Sequence, residues 1–101
     1  MQSKVGGYLG ISRKANYLII GSDDIKTYNK KMYLIIVSND CSDNILKIAK
    51  NKAIQYNISC IKFNFELSSF IGVDSCKVVG LKNKGLSDEI LKYPEEYTRI
   101  V

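Results

Sequence analysis

Tyr17-Leu18-Ile19-Ile20-Gly21-Ser22-Asp23-Asp24 and Tyr33-Leu34-Ile35-Ile36-Val37-Ser38-Asn39-Asp40-Cys41-Ser42-Asp43 follow one pattern, an apolar run that breaks abruptly into small polar residues. A buried strand, a tight turn and a Ser/Asp helix start, repeated within one short stretch, is the signature of alternating α/β structure. A run bare of polar side chains, as at 33–37, predicts burial on both faces of a sheet. In open α/β sheets ligands are met where loops leave the carboxyl ends of the strands. The two polar breaks therefore predict one shared rim, and that rim is the first place to look for function.

Before these runs, Ser3 to Lys14 reads as a helix with Val5, Tyr8, Leu9 and Ala15 on its apolar side. Gly6, Gly7 and Gly10 weaken that helix and suggest close packing on a neighbour. A phosphate-cradling glycine loop would need a preceding strand, and none precedes them. After the strand at 17–20, a second helix is predicted from Ser22 to about Lys30-Lys31, with Asp23 and Asp24 suited to its N-terminal dipole. The helix from Ser42 to Tyr56 carries Ile45, Ala49, Ala53 and Tyr56 at helical spacing, with Asn57 to end it. Ile58–Phe63 is a third strand, 65–70 a helical turn closed by Ile71-Gly72, 77–81 a fourth strand, and 86–91 a last helix. These elements predict a three-layer α/β/α sandwich around a four-stranded mixed sheet. The domain is expected to cover residues 1–93, with 94–101 a tail trailing over the surface.

At 101 residues the chain is long enough for one core and too short for two. No apolar run approaches the ~20 residues of a membrane span, and no signal-peptide pattern opens the sequence. A cytoplasmic protein with no membrane partner is expected, as a monomer or weak oligomer. Cys41, Cys60 and Cys76 are odd in number and lack CxxC spacing, which argues against a disulfide framework or a zinc site. Cys41 stands near a helix start, which favours a thiolate, but with no base nearby an incidental turn cysteine is the simpler reading.

Histidine is absent altogether, which removes the commonest general base and metal ligand. No GxSxG, GKS/T or GxGxxG motif occurs. Asp23 and Asp24 diverge by about 100° on a helix, so a Mg²⁺ site would need a third acid, and Asp40 alone is nearby. Helix-start stabilisation is the simpler role for the pair. No enzyme, cofactor or metal is expected.

Net charge is +5, and thirteen of the fifteen basic residues are lysine. That balance favours association with an anionic polymer, and lysine meets phosphate as a point charge. The candidate site has three parts: Gly21, Ser22, Asp23, Asp24 and Lys26; the turn Ser38-Asn39-Asp40; and the loop Phe70-Ile71-Gly72-Val73-Asp74-Ser75 before the last strand. Ile71 and Val73 offer apolar surface against which an unpaired base can stack.

Gly7-Tyr8-Leu9-Gly10-Ile11-Ser12-Arg13-Lys14-Ala15, Leu18-Ile19-Ile20-Gly21, Leu34 to Ser42, Tyr56-Asn57-Ile58, Ile71-Gly72 before Lys77-Val78-Val79, and Lys82-Asn83-Lys84-Gly85-Leu86 occur in a telling order and spacing. Over about residues 7 to 92 the chain resembles the kink-turn RNA-binding ribosomal protein family, relatives of L-seven-Ae and L-thirty-e, and within it the small bacterial YlxQ-like proteins. The resemblance implies recognition of a sharply bent RNA, with guanines of tandem sheared G·A pairs read at the start of the second helix. It also implies a flipped-out nucleotide covered by the loop before the last strand. By position, Gly21, Ser22, Asp23, Asp24 and Lys26 match the first element, and Phe70 to Ser75 (Ile71, Gly72, Val73 and Asp74 among them) match the second. The family's Asn or Glu is absent from the cluster, Lys26 comes about one residue early, and the second helix is about two residues short.

The leading expectation is a ribosome- or translation-associated RNA-binding protein. In it the rim reads base edges, and Arg13, Lys14, Lys26 and Lys77 contact phosphates. The alternative is a protein–protein adaptor that kept the fold and lost kink-turn recognition.

Overall fold

Residues 3–101 are described by a computed structural model of the chain. Helix α1 (Lys4–Lys14) leads to β1 (Leu18–Ile20), α2 (Ser22–Thr27), β2 (Leu34–Val37), α3 (Asp43–Tyr56) and β3 (Ser59–Phe63). There follow α4 (Ser68–Ile71), β4 (Val78–Leu81), α5 (Lys84–Leu91), a 3-10 turn over Pro94–Glu96, and β5 (Tyr97–Arg99). The strands form one mixed sheet in the order β1-β4-β2-β3-β5. Only β2 and β3 pair in parallel, while β4 runs antiparallel to both β1 and β2, and β5 antiparallel to β3.

The pleat explains the unbroken apolar runs. Leu34, Ile36, Ile61, Phe63, Val79 and Leu81 point to the side covered by α1, α4 and α5. Ile35, Val37, Cys60 and Val78 point to the side covered by α2 and α3, where Ile25, Ala49 and Ala53 meet them. All four residues of β2 are buried, and each such aliphatic side chain contributes roughly 1.5–3 kcal/mol of transfer free energy. The three-layer arrangement is the predicted one. The close packing expected of the α1 glycines falls on Gly6, where a Cβ would collide with the Phe70 ring. Gly7 meets nothing within 4 Å.

The sheet has five strands where four were expected. Tyr97, Thr98 and Arg99, read from sequence as part of a surface tail, pair with Phe63, Lys62 and Ile61. The cause is the outer edge of β3, whose backbone groups would otherwise go unpaired. The Ile100 N–H then donates to Cys60 O at 2.8 Å, and the Tyr97 hydroxyl to Leu91 O at 2.8 Å.

Helix α2 is shorter than the expected 22–31, ending at Thr27. Tyr28 turns extended, and its carbonyl accepts from Lys52 Nζ and the Tyr56 hydroxyl, both at 2.8 Å. Side chains of α3 thus draw the chain out of the helix. Elsewhere the local signals act as read. Ser42 accepts from the Ile45 N–H at 3.2 Å, and Asn57 ends α3 in the left-handed conformation.

Candidate functional site

β1, β2 and β3 all run the same way, so their carboxyl ends and the start of β4 make one rim. The Gly21 N–H donates to Val78 O at 3.1 Å and the Ser38 N–H to Lys77 O at 2.8 Å, which fixes both polar breaks beside the entry to β4. Gly21 is the cap of α2 and has φ 98°, a conformation that L side chains rarely adopt. No side chain caps α2, so Ser22 is its first helical residue and Asp23 and Asp24 occupy the first turn, both exposed.

A cleft of about 430 Å³ is lined by Ile20, Gly21, Ser22, Asp23, Asp24, Ile45 and the run Val73–Val78. The helix start and the pre-β4 loop, 50 residues apart, meet across it. Gly72 and Ser75 hold this loop in shape with φ of 70° and 58°. Val73 is half-buried against the core and offers apolar surface at the cleft. Ile71 does not: it is 5 % exposed and packs in the core as the last residue of α4, against the stacking expected of it. Ile45 adds further apolar surface to the lining. Sequence reading gave it to the helix's core stripe, and its place one turn after the Ser42 cap is the signal that it also reaches the rim.

Asp40 and Lys77 answer one another. Lys77 Nζ lies 2.5 Å from one carboxylate oxygen, and the Ser38 hydroxyl donates to the other at 2.6 Å. The Lys77 ammonium, helped by Ser38, holds the Asp40 carboxyl below its ordinary range. Asp40 in turn raises the Lys77 ammonium above its own. Buried Ser38 also accepts from the Leu67 N–H at 3.1 Å, so one serine ties the end of β2 to the segment entering α4. Lys77, expected to contact phosphate, is already engaged.

The remaining expected residues scatter. Asn39 donates to Asn64 O at 3.2 Å and, with Phe70, lines a neighbouring cleft that also includes Phe65 and Glu66. Lys26 sits in the last turn of α2, exposed and a full turn from the rim. Arg13 and Lys14 end α1, just before β1 begins, and so lie at the opposite end of the sheet. The cleft itself carries Asp23, Asp24 and Asp74, with Lys77 already paired. Such a surface accepts hydrogen bonds from amino and imino donors, including a guanine edge.

Among the described residues, no three His, Cys, Asp or Glu side chains gather at metal-binding range. Burial raises the Cys41 thiol, against the lowering expected near a helix start, and pushes Cys60 up to about 12. All three cysteines are free, and no helix among the described residues is long and apolar enough to cross a membrane.

This geometry defines an α/β/α domain in which a helix start and the loop before β4 converge on one polar cleft. Against known proteins, the chain is 29% identical over 92 residues to a protein named RNA-binding protein YlxQ from Enterococcus faecium, spanning 85% of this chain and 86% of that one. It also superposes with a TM-score of 0.85 on a solved structure described as a protein with unknown function from Bacillus halodurans C. That match has 24% identity and covers 94% of this chain and 100% of the other, and it shows the fold alone. No family model matches the chain.

Proposed function

We propose that this chain is a non-catalytic RNA-binding protein whose rim cleft reads base edges of a bent, kink-turn-like RNA. The supporting observation is that Gly21–Asp24 and Val73–Ser75 share a cleft in a chain 29% identical to RNA-binding protein YlxQ. Asp23 and Asp24 accept from guanine amino groups, and Val73 supplies the apolar contact for an unpaired base. The protein works in the cytoplasm, at or near the ribosome, without cofactor.

The test is a titration with a kink-turn RNA and with an unrelated duplex at two salt concentrations. The expected result is tighter binding to the kink-turn at both. Equal binding to the two RNAs would sink the kink-turn reading. Asp24→Lys is expected to raise overall affinity while narrowing the preference for the kink-turn, since added charge favours any phosphate backbone. Higher affinity with the preference intact would mean that the acids serve only the helix start.

A second reading draws on the Asp40–Lys77 pair, which leaves the cleft without a free cation. On that reading the domain is an adaptor that meets basic protein segments through its acidic rim. Binding that shows no preference for either RNA, with capture of a lysine-rich peptide, is its signature.

A further inference from the structure

Most of the acidic side chains gather at one end of the strand axis. Asp23, Asp24, Asp40, Asp43, Glu66 and Asp74 border the rim cleft or the turns beside it, and Glu95 and Glu96 precede β5 at the same end. Asp88 and Glu89, on α5, are the remaining acids, and they are paired with Lys84 and Lys92. The other end of the sheet carries Asp88, which Lys84 pairs, and is otherwise basic. Arg13 and Lys14 arrive there at the end of α1, Lys30 and Lys31 just before β2, and Lys82 just after β4. Among the described residues none of these five is in an ion pair.

The backbone brings them together. The Lys82 N–H donates to Tyr17 O at 2.8 Å and the Tyr33 N–H to Leu81 O at 2.9 Å, so Tyr17, Lys82 and Tyr33 cap three adjacent strands. Two strand spacings place Tyr17 and Tyr33 roughly 10 Å apart. α1 and α2 cover opposite faces of the sheet, so Arg13-Lys14 and Lys30-Lys31 reach this end from both sides. Tyr17 is 38% exposed among them.

Two magnitudes separate this end from the cleft. A four-residue strand spans roughly 13 Å, whereas charges are screened over about 8 Å at physiological salt. The acids of the rim therefore do not cancel the cations of the far end. The two ends present distinct fields to a polyanion.

We infer that the far end of the sheet is a second nucleic-acid surface, one that holds a sugar–phosphate backbone without reading sequence. Arg13, Lys14, Lys30, Lys31 and Lys82 supply the phosphate contacts there, and Tyr17 stacks on an unpaired base. The surface is separate from the cleft assigned above and does not depend on kink-turn recognition.

The experiment uses the full chain and a fluorescein-labelled oligo(U) RNA of about 20 nucleotides, which has no fold to read. Anisotropy is followed across a salt series. Lys14→Gln with Lys31→Gln is expected to weaken binding several-fold at low salt and to flatten the log K against log salt slope by about 1.4, roughly 0.7 for each phosphate released. The control, Lys47→Gln with Lys50→Gln on the exposed face of α3, makes the same change in net charge and is expected to leave the slope unchanged. Tyr17→Ala is expected to lose about fivefold or more.

Equal losses for the two lysine pairs would overturn the inference, because net charge alone would then account for binding. Failure of the unaltered protein to bind oligo(U) at low salt would overturn it as well. Both results are independent of the kink-turn preference, which reports on the cleft.

Discussion

Helices α2 and α3 lie side by side on one face of the sheet and are made in different ways. α3 carries its own start and stop: Ser42 caps it, Asn57 ends it, and Ala49 and Ala53 bury on its inner face. α2 has six residues, no side-chain cap, and an end imposed by Lys52 and Tyr56 of its neighbour. One helix is specified by its own sequence and the other by the helix beside it. The candidate cleft is built on the second kind.

Lys52→Ala is expected to have the largest effect on this dependence of α2 on α3. Lys52 is 8% exposed, and its ammonium donates to Lys26 O at 3.1 Å and to Tyr28 O at 2.8 Å, above the Tyr56 ring. Removing it takes donors from partly buried carbonyls and empties the space of the stem, a loss of about 3 kcal/mol by urea unfolding. Hydrogen exchange is expected to accelerate in α2 far more than in α3. Equal acceleration in both would mean that α3 needs α2 as much as the reverse.

Gly21→Ala comes next. The position has open space around it but φ of 98°, so the cost is backbone strain of about 2 kcal/mol. The loss is expected to appear in α2 and in RNA binding together. Ser42→Ala removes the α3 cap for about 1 kcal/mol, measurable by thermal unfolding, and is expected to fray only the first turn of α3. Spread of that fraying into α2 would blur the distinction between the helices.

The smallest effect is pH dependence at the Asp40–Lys77 pair. The Asp40 carboxyl is held low in the folded state, so its contribution is present above the unfolded value of about 3.9 and is lost as pH falls through the folded value beneath it. Lys77 is held high, so its share is present below about 10.4 and is lost as pH rises past the folded value. Asp40→Asn is expected to flatten the acid limb of a stability–pH curve. An unchanged limb would remove the pair from the account of what fixes the rim.

What could be read from sequence follows the same division. Strands β1 to β4 and helix α3 announce themselves because their signals, apolar runs and caps at fixed spacing, lie within the element. The rim was legible for that reason, since each break from Ile20 to Gly21 and from Val37 to Ser38 is local. The end of α2 was not, because Lys52 and Tyr56 stand 24 and 28 residues from the Tyr28 carbonyl they hold. Nor was β5, whose Tyr97-Thr98-Arg99 reads as strand only beside the open edge of β3. The engagement of Lys77 depends on a partner 37 residues away, and the burial of Ile71 depends on how α4 is laid against the core.

Glu96 braces the start of α1, which Ser3 caps by accepting from the Gly6 N–H at 2.9 Å. Its carboxylate receives the Ser3 hydroxyl and the Lys4 N–H, the latter at 3.0 Å across 92 residues of sequence. During synthesis Lys4 is made 92 residues before Glu96, so its N–H and the Ser3 hydroxyl have only water to bond until residue 96 has left the ribosome. The nascent chain therefore carries α1 without that partner while every element from β1 to α5 is made. Closure of the α1 end therefore waits for the segment that follows α5, and a ribosome that stalls before residue 96 would hold a chain still open at that corner.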